Sequence, residues 1–548
     1  MSQSNPLNVY KGQDGLREFF NPDSQPPLPL VELPEKLNPF FKDNVRIYAK
    51  MLTALPAQNV KALPALNMLL HDPAAAKKSI IEASSGSTCT SLSISARVLY
   101  DNNDTCAFIS NKTEMNRIRQ LQFFGLKVAL YGGPAQPEIT DPRGIIIRAQ
   151  EMAKSNPDRI CNPGQYENEH NWQSHVRWTG PQLWKQIPEI NVFCMGMGSA
   201  GCVTGTGSFL KEKKPSVKVI GVNELNMADS VCNAVNDPVP GPRPFPLFDS
   251  CNFPWREVVD AVEISSSVDS YRLSMQLSRE GLVAGPSTGM TLKGLFRWLE
   301  KTKDAGELDA HREPESGQVN CVFICCDLPQ QYMQGYFARL SADDFRPIQN
   351  EELLAFDTDK YDLKWELSAT EAISMLKGII HNSQHDFADG GKPVTMKMPS
   401  GKNFNPIIFD LRTTKDYAYS HLPGALSTPL EGLDDTTPSP IADFTKTDVL
   451  RQQWMGLRAK FSGQNPEIER ILGGRLPTSA IVILCYSGES SRIASAVLRT
   501  RGLEAFSVKG GMQALSEALQ AEHKPKENGY KEPSREKAPG LSAVSLVV

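Results

Sequence analysis

Two hydrophobic patterns alternate along most of the chain. Short, mostly apolar runs at 105–110, 127–131 and 190–195 predict buried β-strands. Between the first two runs, residues 114–124 carry apolar side chains at helical spacing, which predicts an amphipathic helix. Strands that alternate with helices in this way are typical of parallel sheets with crossover helices. The pattern therefore predicts an α/β fold.

The same pattern returns in the last third of the chain. Apolar runs at 406–412 and 480–485 predict two more buried strands. A chain of 548 residues is too long for a single hydrophobic core, and this length suits two or three domains. We therefore predict a first domain over 1–360 and a second domain over 361–522.

Two segments of the second half have a different composition. Residues 431–478 join a polar, proline-containing stretch to a helical stretch, and we interpret them as an insertion within the second domain. Residues 523–548 are rich in Lys, Glu, Pro and Ser. Because such a segment has little apolar surface to bury, we predict a disordered tail.

Composition and charge narrow the range of partners. A formal net charge of −4 gives no reason to expect a nucleic acid or an anionic membrane as partner. No run of eighteen apolar residues is present, and the N-terminus lacks the pattern of a signal peptide. The eleven cysteines are scattered without a metal-binding spacing, which is typical of reduced thiols. We therefore expect a cytoplasmic protein without a metal site.

A loop of small residues follows the predicted strand at 190–195 and precedes a predicted helix start at 208–213. Its central residues are Gly198, Ser199, Ala200, Gly201 and Cys202. Small residues let backbone N–H groups converge on an anion, and a helix N-terminus adds partial positive charge. The same sequence also suits an ordinary tight turn. The loop is therefore a candidate phosphate site whose meaning depends on its surroundings.

Four further segments surround this loop in the sequence, at 57–63, 80–88, 162–168 and 280–289. In their order and spacing, the five segments resemble the cysteine synthase family of pyridoxal-phosphate enzymes. This resemblance, which runs from about Pro27 to Phe337, implies fold type II, with two open twisted sheets and flanking helices. It also implies pyridoxal 5'-phosphate as cofactor, small-molecule amino-acid and sulfur substrates, and a homodimer.

The resemblance assigns roles to single residues. It makes Lys61 the Schiff-base lysine and the base that removes the substrate Cα proton, whereas a lone lysine is more often a surface residue. It places Ser287 against the pyridine nitrogen, where a hydroxyl favours loss of a β-leaving group over transamination. The alternative for Ser287 is a helix N-cap. The cofactor-binding set is Lys61, Ser87, Gly198, Ser199, Ala200, Gly201, Cys202 and Ser287.

The substrate carboxylate is assigned by the same resemblance to a second loop of small residues. The alternative is a strand-to-helix turn that binds nothing. The substrate-binding set is Ser84, Ser85, Gly86, Thr88 and Gln165.

Several positions depart from the family pattern. Ala200 stands where a glycine is usual, Cys202 where a threonine is usual, and Ser87 where an asparagine is usual. Residues 62–63 are Ala-Leu instead of Asp-Arg, and 242–248 replace a glycine-rich segment. These departures leave the amino-acid substrate and the nucleophile open, but not the cofactor.

The second domain carries a different signal, centred on Cys485. This cysteine ends a predicted strand and is followed by a six-residue loop and a helix start. Together with 406–412, 421–425 and 508–512, the segment resembles a rhodanese domain, a sulfur-carrying α/β fold. The resemblance makes Cys485 a catalytic cysteine that holds a persulfide, with its thiol pKa lowered by loop N–H groups and the helix N-terminus.

The loop after Cys485 also departs from its family. Tyr486 and Ser490 stand where arginines are common, and Glu489 adds a negative charge. These changes predict weaker binding of an anionic donor such as thiosulfate. The alternative for Cys485 is a buried structural cysteine.

Three functions remain open from the sequence. The leading hypothesis is β-replacement on an activated serine such as O-acetylserine, with sulfide, to form cysteine, coupled to a rhodanese sulfur carrier. The second is β-elimination of the cysteine desulfhydrase kind, with sulfur passed to Cys485. The third is a ligand-binding or scaffold protein without catalysis.

Overall fold

A computed structural model describes residues 5–84, 86–111, 113–132, 144–224, 251–382, 396–397, 403–404, 406–437, 447–473 and 480–522. The chain divides into two compact units, Met1–Arg346 and Pro347–Val548. Among the described residues, no helix is both long and apolar enough to cross a membrane.

The first unit contains two sheets. The strands are β1 (Leu30–Glu32), β2 (Val45–Met51), β3 (Ser79–Ala83), β4 (Thr105–Ser110), β5 (Lys127–Tyr131), β6 (Ile160–Cys161), β7 (Val192–Gly196), β8 (Lys218–Glu224), β9 (Ala261–Ser265) and β10 (Val319–Cys325). One sheet has six strands in the order β1-β2-β10-β7-β8-β9, and the other has four in the order β5-β4-β3-β6. All neighbours pair in parallel except β1 and β2.

Helices connect the parallel strands. They are α1 (Gly15–Phe20), α2 (Ala62–Leu70), α3 (Ser87–Tyr100), α4 (Met115–Phe123), α5 (Ile145–Ser155), α6 (His170–Ser174), α7 (Gly180–Gln186), α8 (Gly201–Lys213), α9 (Trp255–Val258), α10 (Ser267–Arg279), α11 (Pro286–Asp304) and α12 (Met333–Arg339). A strand followed by a helix places the connecting loop at the carboxyl edge of the sheet, where ligands bind in open α/β folds. The loops after β3 and β7 are of this kind.

The central strand β10 explains why the apolar runs are continuous. All seven of its residues are buried. Phe323 packs into one hydrophobic cluster together with Leu295 of α11, whereas Val322 and Ile324 belong to a second cluster. Because helices cover both faces of a parallel sheet, successive side chains are apolar on either face.

The second unit is built around a five-stranded parallel sheet in the order β11-β17-β16-β14-β15. The strands of this unit are β11 (Glu366–Leu367), β12 (Met396–Lys397), β13 (Asn403–Phe404), β14 (Ile407–Asp410), β15 (Ala425–Ser427), β16 (Ile481–Leu484) and β17 (Ala505–Val508). The helices are α13 (Ala369–Asn382), α14 (Thr414–Tyr419), α15 (Thr447–Phe461), α16 (Pro466–Gly473), α17 (Glu489–Thr500) and α18 (Gly511–Glu522). Strands β12 and β13 form a separate antiparallel pair.

The division at Arg346 lies upstream of the predicted boundary at residue 360. The intervening segment contacts elements of the second unit. Phe356 meets Trp454 of α15 edge to face, with ring centroids 5.7 Å apart. The carboxylate of Asp359 lies 3.3 Å from the guanidinium of Arg458 in the same helix. These contacts explain why residues 347–360 belong to the second unit.

The segment interpreted as an insertion contributes to the core of the second unit. Leu457 and Phe461 of α15 are fully buried, and the Phe461 ring lies 5.4 Å from that of Phe409 in β14. Leu472 of α16 joins the same cluster. The helices of this segment are therefore packed parts of the unit, and the predicted tail at 523–548 lies outside the described residues.

Candidate active site

The loop between β7 and α8 has the geometry of an anion site. Ala200 takes φ +59°, the left-handed conformation in which a glycine would be unstrained. Helix α8 begins at Gly201, and the Thr204 N–H donates to the Ala200 carbonyl at 3.0 Å. The N–H groups of the first helical turn have no acceptor within the helix, so they are free to face an anion. The predicted residues Gly198, Ser199 and Cys202 lie on the same segment.

The amine of Lys61 reaches this loop. Lys61 directly precedes α2, and its Nζ lies 3.4 Å from Ser199 Oγ. Its backbone N–H donates to Asn59 Oδ1 at 2.9 Å, and the Ser91 hydroxyl donates to the same oxygen at 3.0 Å. The half-buried lysine therefore faces the loop of small residues and not the outer side of an amphipathic helix.

Asn171 of α6 links this loop to a second predicted segment, and the sequence analysis missed it. Its Nδ2 donates to Ser199 Oγ at 3.2 Å and to the Gln165 carbonyl at 2.5 Å. Its Oδ1 is buried and has no hydrogen-bond partner among the described residues. A Cβ added at Gly201 would lie 2.2 Å from that oxygen, so any other residue there would displace the Asn171 side chain. No motif around Asn171 signals this contact.

The loop between β3 and α3 contains most of the predicted substrate-binding residues. Gly86 is the N-cap of α3, and its N–H donates to Ser84 Oγ at 3.4 Å. The buried Thr88 hydroxyl donates to Gln165 Oε1 at 2.7 Å. Ser87 is the half-buried first residue of the helix, while Ser85 lies outside the described residues. Hydrogen bonds therefore lead from Lys61 through Ser199, Asn171 and Gln165 to Thr88.

A buried carboxyl group supports the Gln165 segment. Glu82 Oε2 in β3 accepts the N–H of Gly164 at 2.9 Å, and Oε1 accepts the N–H of Gln165 at 3.5 Å. Burial raises the pKa of Glu82 to about 7, although these N–H groups oppose the shift. A charged residue within an otherwise apolar strand is the sequence signal that points to Glu82.

Ser287 lies near the end of β7. It is the second residue of α11, whose N-cap is Gly285, so Ser287 is not itself the N-cap. The Thr291 hydroxyl donates to the Ser287 carbonyl at 2.8 Å and accepts the N–H of Gly196 at 3.0 Å. These bonds tie the start of α11 to the last residue of β7.

The positive charge of Lys61 affects the pKa of three titratable side chains. Burial raises the pKa of Asp327 to about 6, against the hydrogen bond from Tyr332 and the positive charges of Arg117 and Lys61. Burial, with a contribution from Lys61, lowers the pKa of His175 to about 3. Burial raises the pKa of Cys202 to about 12, although Lys61 opposes this shift. His175 and Cys202 are therefore neutral at physiological pH.

This set of groups fits pyridoxal phosphate. The cofactor needs an amine for covalent attachment, a cradle for its phosphate and a partner for its ring nitrogen. The amine of Lys61 faces a loop that leads into a helix N-terminus, and the unpartnered Asn171 Oδ1 is an acceptor beside it. No group of side chains that could hold a metal ion is found among the described residues.

A second candidate site surrounds Cys485 in the other unit. Cys485 directly follows β16 and is 1% exposed. Its Sγ accepts the N–H groups of Gly488 at 3.1 Å and Ser491 at 3.4 Å. Burial raises the pKa of the thiol, and these hydrogen bonds oppose the rise. The expected lowering of the pKa is therefore wrong for the protein without a bound sulfur, because desolvation outweighs the N–H groups.

Tyr486 and Ser490, which stand where arginines are common in the rhodanese family, are hydrogen-bonded to neighbouring elements. The Tyr486 hydroxyl donates to Asp416 of α14, and the Ser490 hydroxyl donates to Gln453 Oε1 of α15 at 2.6 Å. Burial raises the pKa of Glu489, whose Oε2 has no hydrogen-bond partner among the described residues. The loop 486–491 therefore supplies no side-chain cation to a donor.

Two family models match the chain. A model described as pyridoxal-phosphate dependent enzyme matches residues 23–322, more than half of the 548 residues. The chain therefore belongs to this family. A model described as rhodanese-like domain matches residues 396–518. The protein is a pyridoxal-phosphate-dependent enzyme with a rhodanese-like domain, and the predicted family, fold class and cofactor are confirmed.

Individual relatives narrow the class to cysteine synthase homologues. A cysteine synthase from Aquifex aeolicus is 32% identical over 206 residues, which cover 35% of this chain and 59% of that protein. Cysteine synthase B from Campylobacter jejuni is 25% identical over 272 residues, covering 48% and 86%. An O-acetylserine dependent cystathionine beta-synthase from Bacillus subtilis is 26% identical over 270 residues, covering 48% and 83%. The chain thus spans less than two thirds of the first relative.

Proposed function

We propose that the first unit catalyses β-replacement on O-acetylserine or a closely related activated serine, with sulfide as nucleophile. The reaction is O-acetylserine + HS⁻ → cysteine + acetate. The observation that carries the proposal is the Lys61 amine, 3.4 Å from Ser199 Oγ in the loop that leads into α8. The names of the relatives, two cysteine synthases and one O-acetylserine dependent enzyme, support the choice of substrate.

When bound, pyridoxal phosphate supplies an electron sink that makes the substrate Cα–H acidic. The amine of Lys61 would hold the cofactor and would then take the substrate Cα proton. The loop 198–202 and the first turn of α8 hold the phosphate through backbone N–H groups. Ser287 would face the ring nitrogen, and Ser87 would stand near the cofactor in place of the family's usual asparagine.

The loop between β3 and α3 holds the substrate carboxylate. Ser84, Gly86 and Thr88 would supply hydroxyl and N–H donors at the N-terminus of a helix of fourteen residues, and Ser85 of the same predicted set lies outside the described residues. The side chain of Gln165, which accepts from Thr88, closes the site from the opposite side. Both groups then bind and orient the amino acid so that its Cα proton faces Lys61.

The test is the visible absorbance of the purified full-length protein before and after O-acetylserine, and again after sulfide. We expect a cofactor band that changes on the first addition and returns on the second, with cysteine formed. Lys61→Ala should abolish the response, while Lys154→Ala, at an exposed position of α5, should not. A band that ignores O-acetylserine but responds to cysteine with release of sulfide would overturn replacement in favour of elimination.

A second proposed activity concerns Cys485. Its two N–H contacts, at 3.1 and 3.4 Å, support an anionic sulfur at this position. Sulfide itself would need an oxidant to become the outer sulfur of a persulfide, whereas a persulfide donor would not. We therefore propose the exchange Cys485–S⁻ + R–S–S⁻ → Cys485–S–S⁻ + R–S⁻.

This transfer is measured with cyanide as the final acceptor, by the thiocyanate formed. Because Glu489 is negative and no side-chain cation stands in the loop 486–491, we expect a small persulfide to be a better donor than thiosulfate. Cys485→Ser should remove the activity. Equal rates with thiosulfate and with the persulfide would contradict the proposed donor class.

The family resemblance also supports a homodimer formed through the first unit and a cytoplasmic location. Sedimentation equilibrium of the full-length protein tests the first of these. Fractionation of the source cells tests the second.

A further inference from the structure

Arg117 brings a second cation to the loop that is proposed to hold the substrate carboxylate. It lies in the first turn of α4, and its Nη1 is 3.9 Å from the place that a Cβ would take at Gly86. Gly86 is the N-cap of α3, two residues before Thr88. A side chain at position 86 would therefore reach the guanidinium, which lies at the edge of the site proposed above.

The hydrogen-bonding groups of this guanidinium are not used by the described residues. Its Cζ lies 4.7 Å from the centroid of the Tyr332 ring, a cation–π contact that uses none of the N–H donors. No side-chain hydrogen bond or ion pair of Arg117 is found among the described residues. A guanidinium carries five N–H donors in a planar fork. This half-buried fork thus contacts an aromatic ring, and no described residue accepts a hydrogen bond from its side-chain donors.

Asp327 connects Arg117 to Lys61. Its buried carboxylate accepts the Tyr332 hydroxyl at 2.5 Å through Oδ2, while Oδ1 has no hydrogen-bond partner among the described residues. The positive charges of both Arg117 and Lys61 act on this carboxylate and oppose the rise in its pKa. The guanidinium and the amine are therefore close enough to the same buried carboxylate to interact with it electrostatically.

We propose that Arg117 is a specificity-determining residue that binds an anionic oxygen group on one of the two substrates, in addition to the α-carboxylate. This inference rests on the proposed β-replacement. An acetyl ester offers only a neutral carbonyl acceptor and sulfide has no oxygen atoms, so neither matches a charged, planar fork of donors. A carboxylate or a phosphate does, because two of its oxygens match the fork.

The anionic group has two possible sources. It is the leaving group if the activated serine carries a phosphate, and it belongs to the nucleophile if the incoming thiol carries a carboxylate. Both reactions leave the β-replacement chemistry unchanged. Ser87, one of the departures from the family pattern, directly follows Gly86 in this loop, while the departure at 242–248 lies outside the described residues.

The experiment compares matched neutral and charged substrates in the full-length holoenzyme. One arm measures kcat/KM for O-acetyl-L-serine and O-phospho-L-serine with sulfide. The other arm uses O-acetyl-L-serine with 2-mercaptoethanol and with mercaptoacetate, which differ in a carboxylate. In one arm, Arg117→Gln should lower kcat/KM for the charged member by about 10- to 100-fold, and for its neutral member by about threefold or less. The arm that responds identifies the source.

Two further variants separate recognition from structure. Arg117→Lys keeps the charge but lacks the fork, so it should restore part of the lost preference for the charged substrate. Arg119→Gln, at an exposed position of the same helix, should change no preference. If Arg117→Gln lowers kcat/KM equally for all substrates, or for none, the inference is wrong. The arginine then serves the α-carboxylate or only the packing on Tyr332.

A binding measurement keeps this test independent of turnover. Calorimetric titration of Lys61→Ala compares O-phospho-L-serine with O-acetyl-L-serine, and mercaptoacetate with 2-mercaptoethanol, with and without Arg117→Gln. We expect the charged ligand of one pair to lose about 10- to 100-fold in affinity. Absence of turnover by the wild type would overturn the proposed function alone. Absence of any charge preference in these titrations would overturn the role of Arg117 alone.

Discussion

The two candidate sites are assembled in opposite ways. In the first unit, the hydrogen bonds that lead from Lys61 to Thr88 pass through Ser199, Asn171 and Gln165, so they join four separate segments of the chain. In the second unit, the groups that hold the Cys485 sulfur come from the single six-residue loop 486–491. A site made from distant segments depends on the packing of whole elements, whereas a site made from one loop depends mainly on local backbone conformation.

The two sites also differ in what surrounds the reactive atom. Lys61 is half-buried and its amine faces a hydroxyl group, while Cys485 is almost fully buried and its thiol faces N–H groups. Burial therefore favours the neutral thiol of Cys485 over the thiolate. The half-buried amine of Lys61, by contrast, is open to a ligand. We expect the two sites to be separable by mutation.

The largest expected effect tests this separation. Lys61→Ala should lower cysteine formation by about a thousandfold or more, because it removes the proposed base at substrate Cα. It should leave sulfur transfer from a persulfide to cyanide unchanged, and Cys485→Ser should have the reverse effect. Both rates are measured on the same preparations, with Lys154→Ala as control. A parallel loss of both activities in either variant would show that the sites are coupled.

The dependence of the first site on close packing is tested by Gly205→Ala in α8. An added Cβ would lie 2.0 Å from the Trp172 carbonyl oxygen, and backbone atoms there cannot yield as a flexible side chain would. We expect a loss of about 3 kcal/mol in the free energy of unfolding of the first unit. Gly473→Ala in α16 is the control, because no atom lies within 4 Å of its new Cβ. Equal free energies of unfolding for the wild type and Gly205→Ala, measured in urea, would contradict the observed packing.

Because burial raises the pKa of Glu82, we expect pH to affect the stability of the first unit. Burial raises its pKa from 4.5 to about 7, so the folded state holds the proton more tightly than the unfolded chain does. Its contribution to stability is complete below pH 4.5 and is lost as the pH rises through about 7. We expect a decrease of about 3 kcal/mol across this range.

Urea unfolding at several pH values measures this decrease. Glu82→Gln should remove it, while Glu151→Gln, at an exposed position, should retain it. An unchanged pH profile in Glu82→Gln would assign the dependence to other groups.

The smallest expected effect concerns backbone strain at Ala200. A left-handed conformation at φ +59° costs an L-residue about 1–2 kcal/mol, whereas glycine adopts it without strain. Part of this gain is offset by the greater flexibility of glycine in the unfolded chain. Ala200→Gly should therefore stabilise the first unit by about 0.5 kcal/mol, measured by thermal unfolding. Ala305→Gly, at φ −74°, should not stabilise it.

Much of the fold was predictable from apolar patterns. The runs at 105–110 and 127–131 are strands β4 and β5, and the predicted helix over 114–124 is α4, one residue shorter at each end. The predicted domain boundary at residue 360 differs from the division at Arg346. That difference depends on the contact between Phe356 and Trp454, which are almost a hundred residues apart and which no local pattern joins.

The sequence by itself determined the α/β class, the family, the cofactor and the positions of Lys61 and Cys485 within their motifs. These features depend on residue type and short-range order, which the chain carries directly. Only the tertiary structure decided that Asn171 joins two loops, that Glu82 supports Gln165, and that Arg117 stands beside Gly86. The physical reason is that hydrogen bonds and charge act over a few ångströms in space, and packing alone sets which distant residues meet.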